Sequence, residues 1–183
     1  MNRVVAARPR PFMSALDLSR LYLHLLGVTA LACALACVVA WHLVWNWTPS
    51  LPLGLYWLSR DSSGAVATRG ELVAFPVPAA VRDLVRERRY LPPGAMLVKR
   101  IVATPGDRVC TEDGTFAVNG EPLGAILAED SAGRPLPHYE GCGPVPQGLL
   151  YVGSRHPKSF DSRTFGPVRV ADIRGTVTPL WTY

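Results

Sequence analysis

Ser50 and Lys99 are the two residues whose surroundings are most unusual for their type. Ser50 stands between Pro49 and Pro52 in "NWTPSLPLGLYWL" (residues 46–58), directly after a long apolar run. The prolines restrict the backbone beside it, so the serine is either part of a stiff linker or a nucleophile held in one geometry. Lys99 lies in "MLVKRIV" (96–102). Read as a strand, that stretch puts Lys99 on one face with Leu97 and Ile101. Burial there would lower the lysine pKa from about 10.4, and a neutral lysine is a competent general base. The other reading is a sheet-edge lysine that extends its ammonium to water. A serine hydroxyl is a weak nucleophile until a base takes its proton, and a Ser-Lys pair is one way to supply that base.

The elements that must position such a pair divide the chain in two. From His24 to Trp45 there is no Asp, Glu, Lys or Arg. A helix of that length spans roughly 33 Å, enough for a hydrocarbon core of about 30 Å. Trp41, Trp45 and Trp47 at its end fit an interfacial aromatic belt, and Arg3, Arg8, Arg10 and Arg20 outweigh Asp17 before it. The positive-inside rule then expects a cytoplasmic basic tail over 1–20, a single transmembrane anchor over 21–46 and an extracytoplasmic domain over 47–183. A cleaved signal peptide has a shorter apolar core, usually 7–15 residues. A lipoprotein reading of the two "ALAC" repeats, ending at Cys33 and Cys37, lacks the leucine usually wanted three residues before the cysteine, and the apolar run continues past both.

Beyond the span the pattern is mostly β. "ELVAF" (71–75), "AMLVKRIVA" (95–103), "GLLYVGS" (148–154) and "IRGTVTPLW" (173–181) read as strands, and "GTFAVNGEPL" (114–123) as a hairpin with an Asn-Gly turn. About seven short strands are expected. "AAVRDLVRERRYL" (79–91) has Val81, Leu84 and Val85 at helical spacing, either a solvated surface helix or a basic flap over a site. Residues 124–147 read as loop.

The net charge of +5 is small and scattered, with no basic-aromatic motif, so no nucleic-acid partner is expected. The four histidines His24, His42, His138 and His156 are dispersed, with neither CxxC nor HExxH, so no metal or other cofactor is expected. Cys110 and Cys142 are a candidate disulfide if the domain is exported; spacing alone does not show that they meet.

Three stretches taken together, "TPSLPLGLY", "MLVKRIVATPGD" and "SFDSRTFGPV", resemble in order and content the boxes of the type I signal peptidases, which are Ser-Lys enzymes. "N-x-TPS-x-P-x-GLYW" looks most like the conjugative-transfer signal peptidases of the TraF type. The resemblance runs from about Asn46 to the C-terminus and is weakest over 110–147. It implies a signal-peptidase-like antiparallel β domain on one N-terminal transmembrane helix. It also implies roles: Ser50 as nucleophile, Lys99 as general base, and Thr48 with the Ser50 N–H as oxyanion hole. Ser159 would orient the lysine. Asp161 and Arg163 would form a supporting ion pair, with a more direct catalytic part for the aspartate as a minor alternative. Leu51 stands where the signal peptidases commonly carry methionine.

The function so implied is a membrane-anchored serine endopeptidase in the inner membrane with a periplasmic catalytic domain. Its partners would be the bilayer and exported precursors, above all a conjugative pilin precursor, with peptide cyclisation as a further outcome of the same acyl-enzyme. Small residues before the scissile bond would fit shallow apolar pockets beside Ser50. From another class comes a non-enzymatic assembly component of a secretion or conjugation apparatus on a degenerate peptidase fold. A LexA-like self-cleaving regulator shares the chemistry but would need a helix-turn-helix where residues 1–45 carry an apolar span.

Overall fold

The computed structural model describes residues 14–60 and 68–183. Arg3, Arg8 and Arg10 of the expected basic tail lie outside the described residues. The chain divides into two compact units, Met1–Trp41 and His42–Tyr183.

Among the described residues the first unit is one helix, α1 (Ala15–Trp41). Ser14 and Asp17 start it reciprocally: the Asp17 N–H donates to Ser14 Oγ at 3.2 Å, and the Ser14 N–H donates to the Asp17 carboxylate at 3.3 Å. This is a capping box, which satisfies donors that the first turn leaves free. Leu18, Leu25, Leu31 and Val38 are each more than half exposed. With a mean hydropathy reaching 2.3 over Leu16–Trp41, the helix is long and apolar enough to cross a membrane.

The expected bounds of 21–46 are therefore shifted. The capping box starts the helix earlier, and the helix stops at Trp41. Leu43–Asn46 form strand β1 instead, pairing with Gly54–Trp57. Hydropathy runs unbroken through this junction, so it could not show where the backbone changes state.

The second unit holds eleven strands among the described residues, against about seven expected. After β1 come β2 (Gly54–Ser59), β3 (Leu72–Pro76), the short helix α2 (Arg82–Glu87) and β4 (Met96–Ala103). Then follow β5 (Arg108–Glu112), β6 (Thr115–Val118), β7 (Glu121–Ala125), β8 (Cys142–Pro144) and β9 (Leu149–Gly153). Helix α3 (Ser162–Phe165), β10 (Val168–Arg169) and β11 (Gly175–Thr182) complete the chain. The extra strands β1, β2, β5, β8 and β10 are pieces of two to six residues whose pattern is too short to read, and α3 and β10 lie where only a polar loop is legible. One sheet runs β1-β2-β11-β3-β4-β9-β10 and a second β7-β6-β5-β8, all pairs antiparallel. Asn119 and Gly120, at φ 53° and 83°, make the tight turn between β6 and β7. Positive φ at both central residues is what a two-residue hairpin turn of this hand requires.

Three core clusters hold the unit. Val73, Phe75, Leu97 and Ile101 pack with Val81 and Val85 of the α2 region. Val44 of β1 and Val98 of β4 share a second cluster with Tyr56, Leu58 and Val177. Since β1 and β4 are far apart in the strand order, that shared cluster means the large sheet curls on itself. Tyr56 is core, with its hydroxyl donating to the Pro52 carbonyl at 2.8 Å. A third cluster, with Val102, Phe116 and Tyr151, joins the two sheets. Cys110 and Cys142 sit directly opposite on β5 and β8 and are bonded as a disulfide. Glu112 lies beside them, but the two sulfurs hold each other.

Candidate active site

The turn from β1 to β2 is built by a residue to which sequence reading gave no role. Asn46, 1% exposed, sends its amide N–H groups to the carbonyls of Thr48, Leu51 and Pro52 at 3.0, 3.2 and 3.0 Å. Its Oδ1 accepts from the Thr48 N–H at 3.3 Å and lies 3.2 Å from the Thr48 hydroxyl. A single side chain thus gathers the backbone around Ser50. The signal was present in the sequence, since Asn46, two residues before Thr48-Pro49, is a residue type that hydrogen-bonds its own local backbone.

In an extended strand Thr48, two residues before Ser50, would share its side. The segment is a turn, and it is the turn that brings Thr48 Oγ1 to 3.1 Å from Ser50 Oγ. Among the described residues the Ser50 N–H has no hydrogen-bond acceptor, so it stays available as a donor.

Replacing Asn46 with alanine would leave the Thr48 and Leu51 carbonyls without their donor, while the Pro52 carbonyl keeps the Tyr56 hydroxyl. The expected cost is about 1–3 kcal/mol of stability and, if Ser50 reacts, about a hundredfold in kcat from lost positioning. Asn46→Asp keeps the shape but replaces the two N–H donors by an oxygen that repels the three carbonyls, and should be at least as damaging. Urea unfolding and turnover of the two variants check this.

Lys99 comes from the middle of β4, is fully buried and pairs across the sheet with Val73. Its Nζ hydrogen-bonds Ser50 Oγ and lies 3.4 Å from Ser159 Oγ and 3.5 Å from Thr48 Oγ1. Burial lowers its pKa to about 8; the Asp161 carboxylate pulls the other way and the Arg163 guanidinium adds to the lowering. The side chain therefore gives up its proton around pH 8 instead of above 10, and lies against a hydroxyl that the free amine can deprotonate.

Asp161 and Arg163 face each other in a bidentate pair, 2.9 and 2.8 Å, and both are buried. Asp161 also caps α3, accepting from the Arg163 N–H at 3.1 Å, and accepts from the Ser154 N–H at 3.3 Å. Arg163 in turn donates to the carbonyls of Ser154 and His156. The pair ties the end of β9 to the loop that carries Ser159. All six expected residues, Thr48, Ser50, Lys99, Ser159, Asp161 and Arg163, thus lie in one region, while the Cys110–Cys142 disulfide belongs to the second sheet.

A cleft of about 650 Å³ opens over Ser50, lined by Trp47, Thr48, Leu97 and Phe160, and by Tyr90, Leu91, Leu127 and Asp130 from segments with no legible purpose. Tyr90 donates its hydroxyl to Asp130, and Arg88 and Arg134 reach the same carboxylate at 3.2 and 2.7 Å. Burial alone would raise the Asp130 pKa. The hydrogen bonds from Tyr90, Arg134 and Ala132 outweigh it and hold the carboxyl well below its usual range. These contacts fasten the loop 127–136 to the end of segment 79–91, where Tyr90 and Leu91 line the cleft. Helix α2 itself has Arg82, Asp83, Arg86 and Glu87 exposed and Val85 buried, as a solvated amphipathic surface helix does.

The profile of the family described as signal peptidase, peptidase S26, matches residues 16–181. The plasmid transfer protein TraF of Escherichia coli is 35% identical over 168 residues, 86% of this chain and 92% of its own length. The conjugal transfer protein TraF of Agrobacterium fabrum is 35% identical over 146 residues, covering 75% and 81% of the two chains. Signal peptidase I V of Bacillus subtilis is 35% identical over 98 residues, 48% of this chain and 58% of its own. Among solved structures, a signal peptidase I of Enterococcus faecalis is 27% identical, covering 61% of this chain and 96% of its own, with a TM-score of 0.36.

Proposed function

The chain belongs to the signal peptidase S26 family, and from that premise we propose that it is a membrane-anchored serine endopeptidase working through a Ser50–Lys99 dyad. The observation that carries the reading is the fully buried Lys99 Nζ in hydrogen-bond contact with Ser50 Oγ. Neutral Lys99 takes the proton as Ser50 Oγ attacks the scissile carbonyl. The protonated lysine then gives that proton to the leaving amine. Ser159 Oγ, 3.4 Å away, orients Nζ. The oxyanion is met by the Ser50 N–H and by the Thr48 hydroxyl. Thr48 has one proton, which at rest can go to Asn46 Oδ1; it turns to the oxyanion at no loss to Asn46, whose oxygen keeps the Thr48 N–H.

Helix α1 serves as the anchor, with the basic N-terminus in the cytoplasm and the β domain on the periplasmic side. Ser50 follows the helix end by only nine residues. That short tether keeps the nucleophile near the bilayer surface, where exported precursors present their cleavage sites, and replaces a dilute encounter by a local one. Several relatives carry names of plasmid or conjugal transfer proteins, which supports a pilin precursor of a conjugation apparatus as the substrate. The acyl-enzyme would then be resolved by water or by the precursor's own amine.

Co-expression with a candidate pilin precursor and with a general preprotein tests this, the products being weighed by mass spectrometry. Trimming by wild type and not by Ser50→Ala or Lys99→Ala supports the dyad, and a product one water lighter than the linear peptide shows cyclisation. Identical products from all three proteins, with the domain folded, overturn it in favour of a non-enzymatic assembly component. A pH profile adds an independent check. A base must be neutral to act, so kcat/KM should rise about tenfold per unit up to about pH 8, where the Lys99 pKa lies, and level off above it.

A further inference from the structure

Ser50 stands between two clefts of opposite character. The one described above is mainly apolar, and its lining charges balance: Glu129 and Asp130 against Arg134 and Lys158. On the other side of Ser50 and Leu51 lies a second cleft of about 670 Å³, lined by Arg69, Arg100 and Arg155 with Glu121 as the one carboxylate. Arg69 has Asp107 at 4.0 Å, a long and half-exposed pair. Arg100 donates to the Gly70 carbonyl, which fixes the guanidinium without neutralising it. Among the described residues no carboxylate lies within ion-pair distance of Arg100 or Arg155. Arginines in one concavity beside a reacting serine make an excess of positive charge with planar donors suited to a carboxylate.

Resting on the peptidase reading, we propose that this arginine-lined cleft binds a carboxylate-bearing segment of the peptide substrate on the leaving-group side of the scissile bond. The side follows from complementarity. The balanced, apolar cleft holds Thr48, the oxyanion donor, and suits the small apolar residues of the acyl half. The peptide passes over Ser50, so the half that departs with the amine runs toward Arg69, Arg100 and Arg155. Acidic side chains there, or the free carboxylate of a short leaving peptide, meet the guanidiniums. Lysines in the same places are repelled, so the cleft selects as well as binds.

Two readouts separate this inference from the peptidase reading. The full chain in detergent micelles is given peptides with Ala-Xaa-Ala before the scissile bond and Asp-Asp, Ser-Ser or Lys-Lys at the second and third positions after it. Isomers carry the charged pair on the acyl side. The expected result is kcat/KM in the order Asp, Ser, Lys for the leaving side. The ends should differ roughly tenfold, narrowing at about 1 M salt. The spread collapses in an Arg100→Gln/Arg155→Gln double variant and returns in part with Arg100→Lys/Arg155→Lys. In parallel, fluorescence anisotropy follows labelled leaving-side peptides on the Ser50→Ala chain, where the Asp-Asp peptide should bind in preference to Lys-Lys. Equal rates for Asp and Lys peptides, a preference that survives the double glutamine variant, or a preference confined to the acyl side each overturn the inference. If no peptide is cleaved yet the Asp-Asp peptide binds preferentially and loses this in the double variant, carboxylate binding by the cleft stands, while its place on the leaving side falls with the peptidase reading.

Discussion

Lys99→Met is expected to lower turnover by about 10⁴-fold or more while leaving the domain at least as stable as wild type at neutral pH. The two halves of that statement come from one fact. Lys99 is fully buried, and burial brings its pKa from 10.5 to about 8. The charged form is therefore disfavoured in the fold by roughly 3 kcal/mol relative to the unfolded chain. Methionine has a similar length and no charge to desolvate, so the core loses little packing and sheds that penalty.

The sign can be checked against pH. Between about 8 and 10.5 the unfolded lysine still holds a proton that the folded one has released. Wild-type stability therefore rises with pH in that window, and the penalty is fully present only below it. Lys99→Met has no such term, so its advantage should shrink as pH rises from about 8 to about 10.5. Single-turnover cleavage assays and urea unfolding at both ends of the window measure the two effects. Ser50→Ala should cost as much activity as Lys99→Met, and the double variant little more, because the residues act as a unit. Turnover within tenfold of wild type in Lys99→Met would remove lysine from the mechanism whatever the geometry.

Sequence alone made the strand of Lys99 legible because apolar residues flank it on both faces, and made the hairpin legible because Asn-Gly is a strong turn signal. It could not show which apolar residues after Trp41 leave the helix, since strand and helix are equally apolar there. The site was legible where side chains of unusual type sit in short motifs, as with Ser50, Lys99 and the Ser159–Arg163 stretch. It was not legible where function needs contact between distant segments. Tyr90 and Asp130 meet from 40 positions apart, Arg69 and Arg155 share a cleft only through sheet order, and neither pair carries a local pattern. Asn46 falls between these cases. Its type and place were visible, but only the fold shows its amide reaching three carbonyls.

Asp161→Ala should give the largest loss of stability of any single change near the site, about 3–5 kcal/mol, because it leaves the Arg163 guanidinium buried without its carboxylate. That is a large share of a domain's usual 5–15 kcal/mol. It also removes the cap of α3 and the acceptor of the Ser154 N–H. Asp161→Ala/Arg163→Met, which removes both charges, should recover part of the loss in urea unfolding, since an unpaired buried charge costs more than an absent pair. The same variants decide what the aspartate does for the reaction. If it only supports, its electrostatic reach is through Lys99, whose pKa its field raises and Arg163 lowers. In Asp161→Ala the midpoint of the pH–rate profile should then move below about 8, with turnover at high pH largely kept in the fraction that remains folded. A direct part in proton transfer predicts the opposite pattern. The plateau itself would fall by 10²-fold or more, and the double variant, though better folded, would not restore it. Stability and plateau rate are thus separable readouts of one substitution. The bidentate geometry, with both carboxylate oxygens turned to Arg163 and none hydrogen-bonded to Lys99 or Ser50, leads us to expect the first pattern.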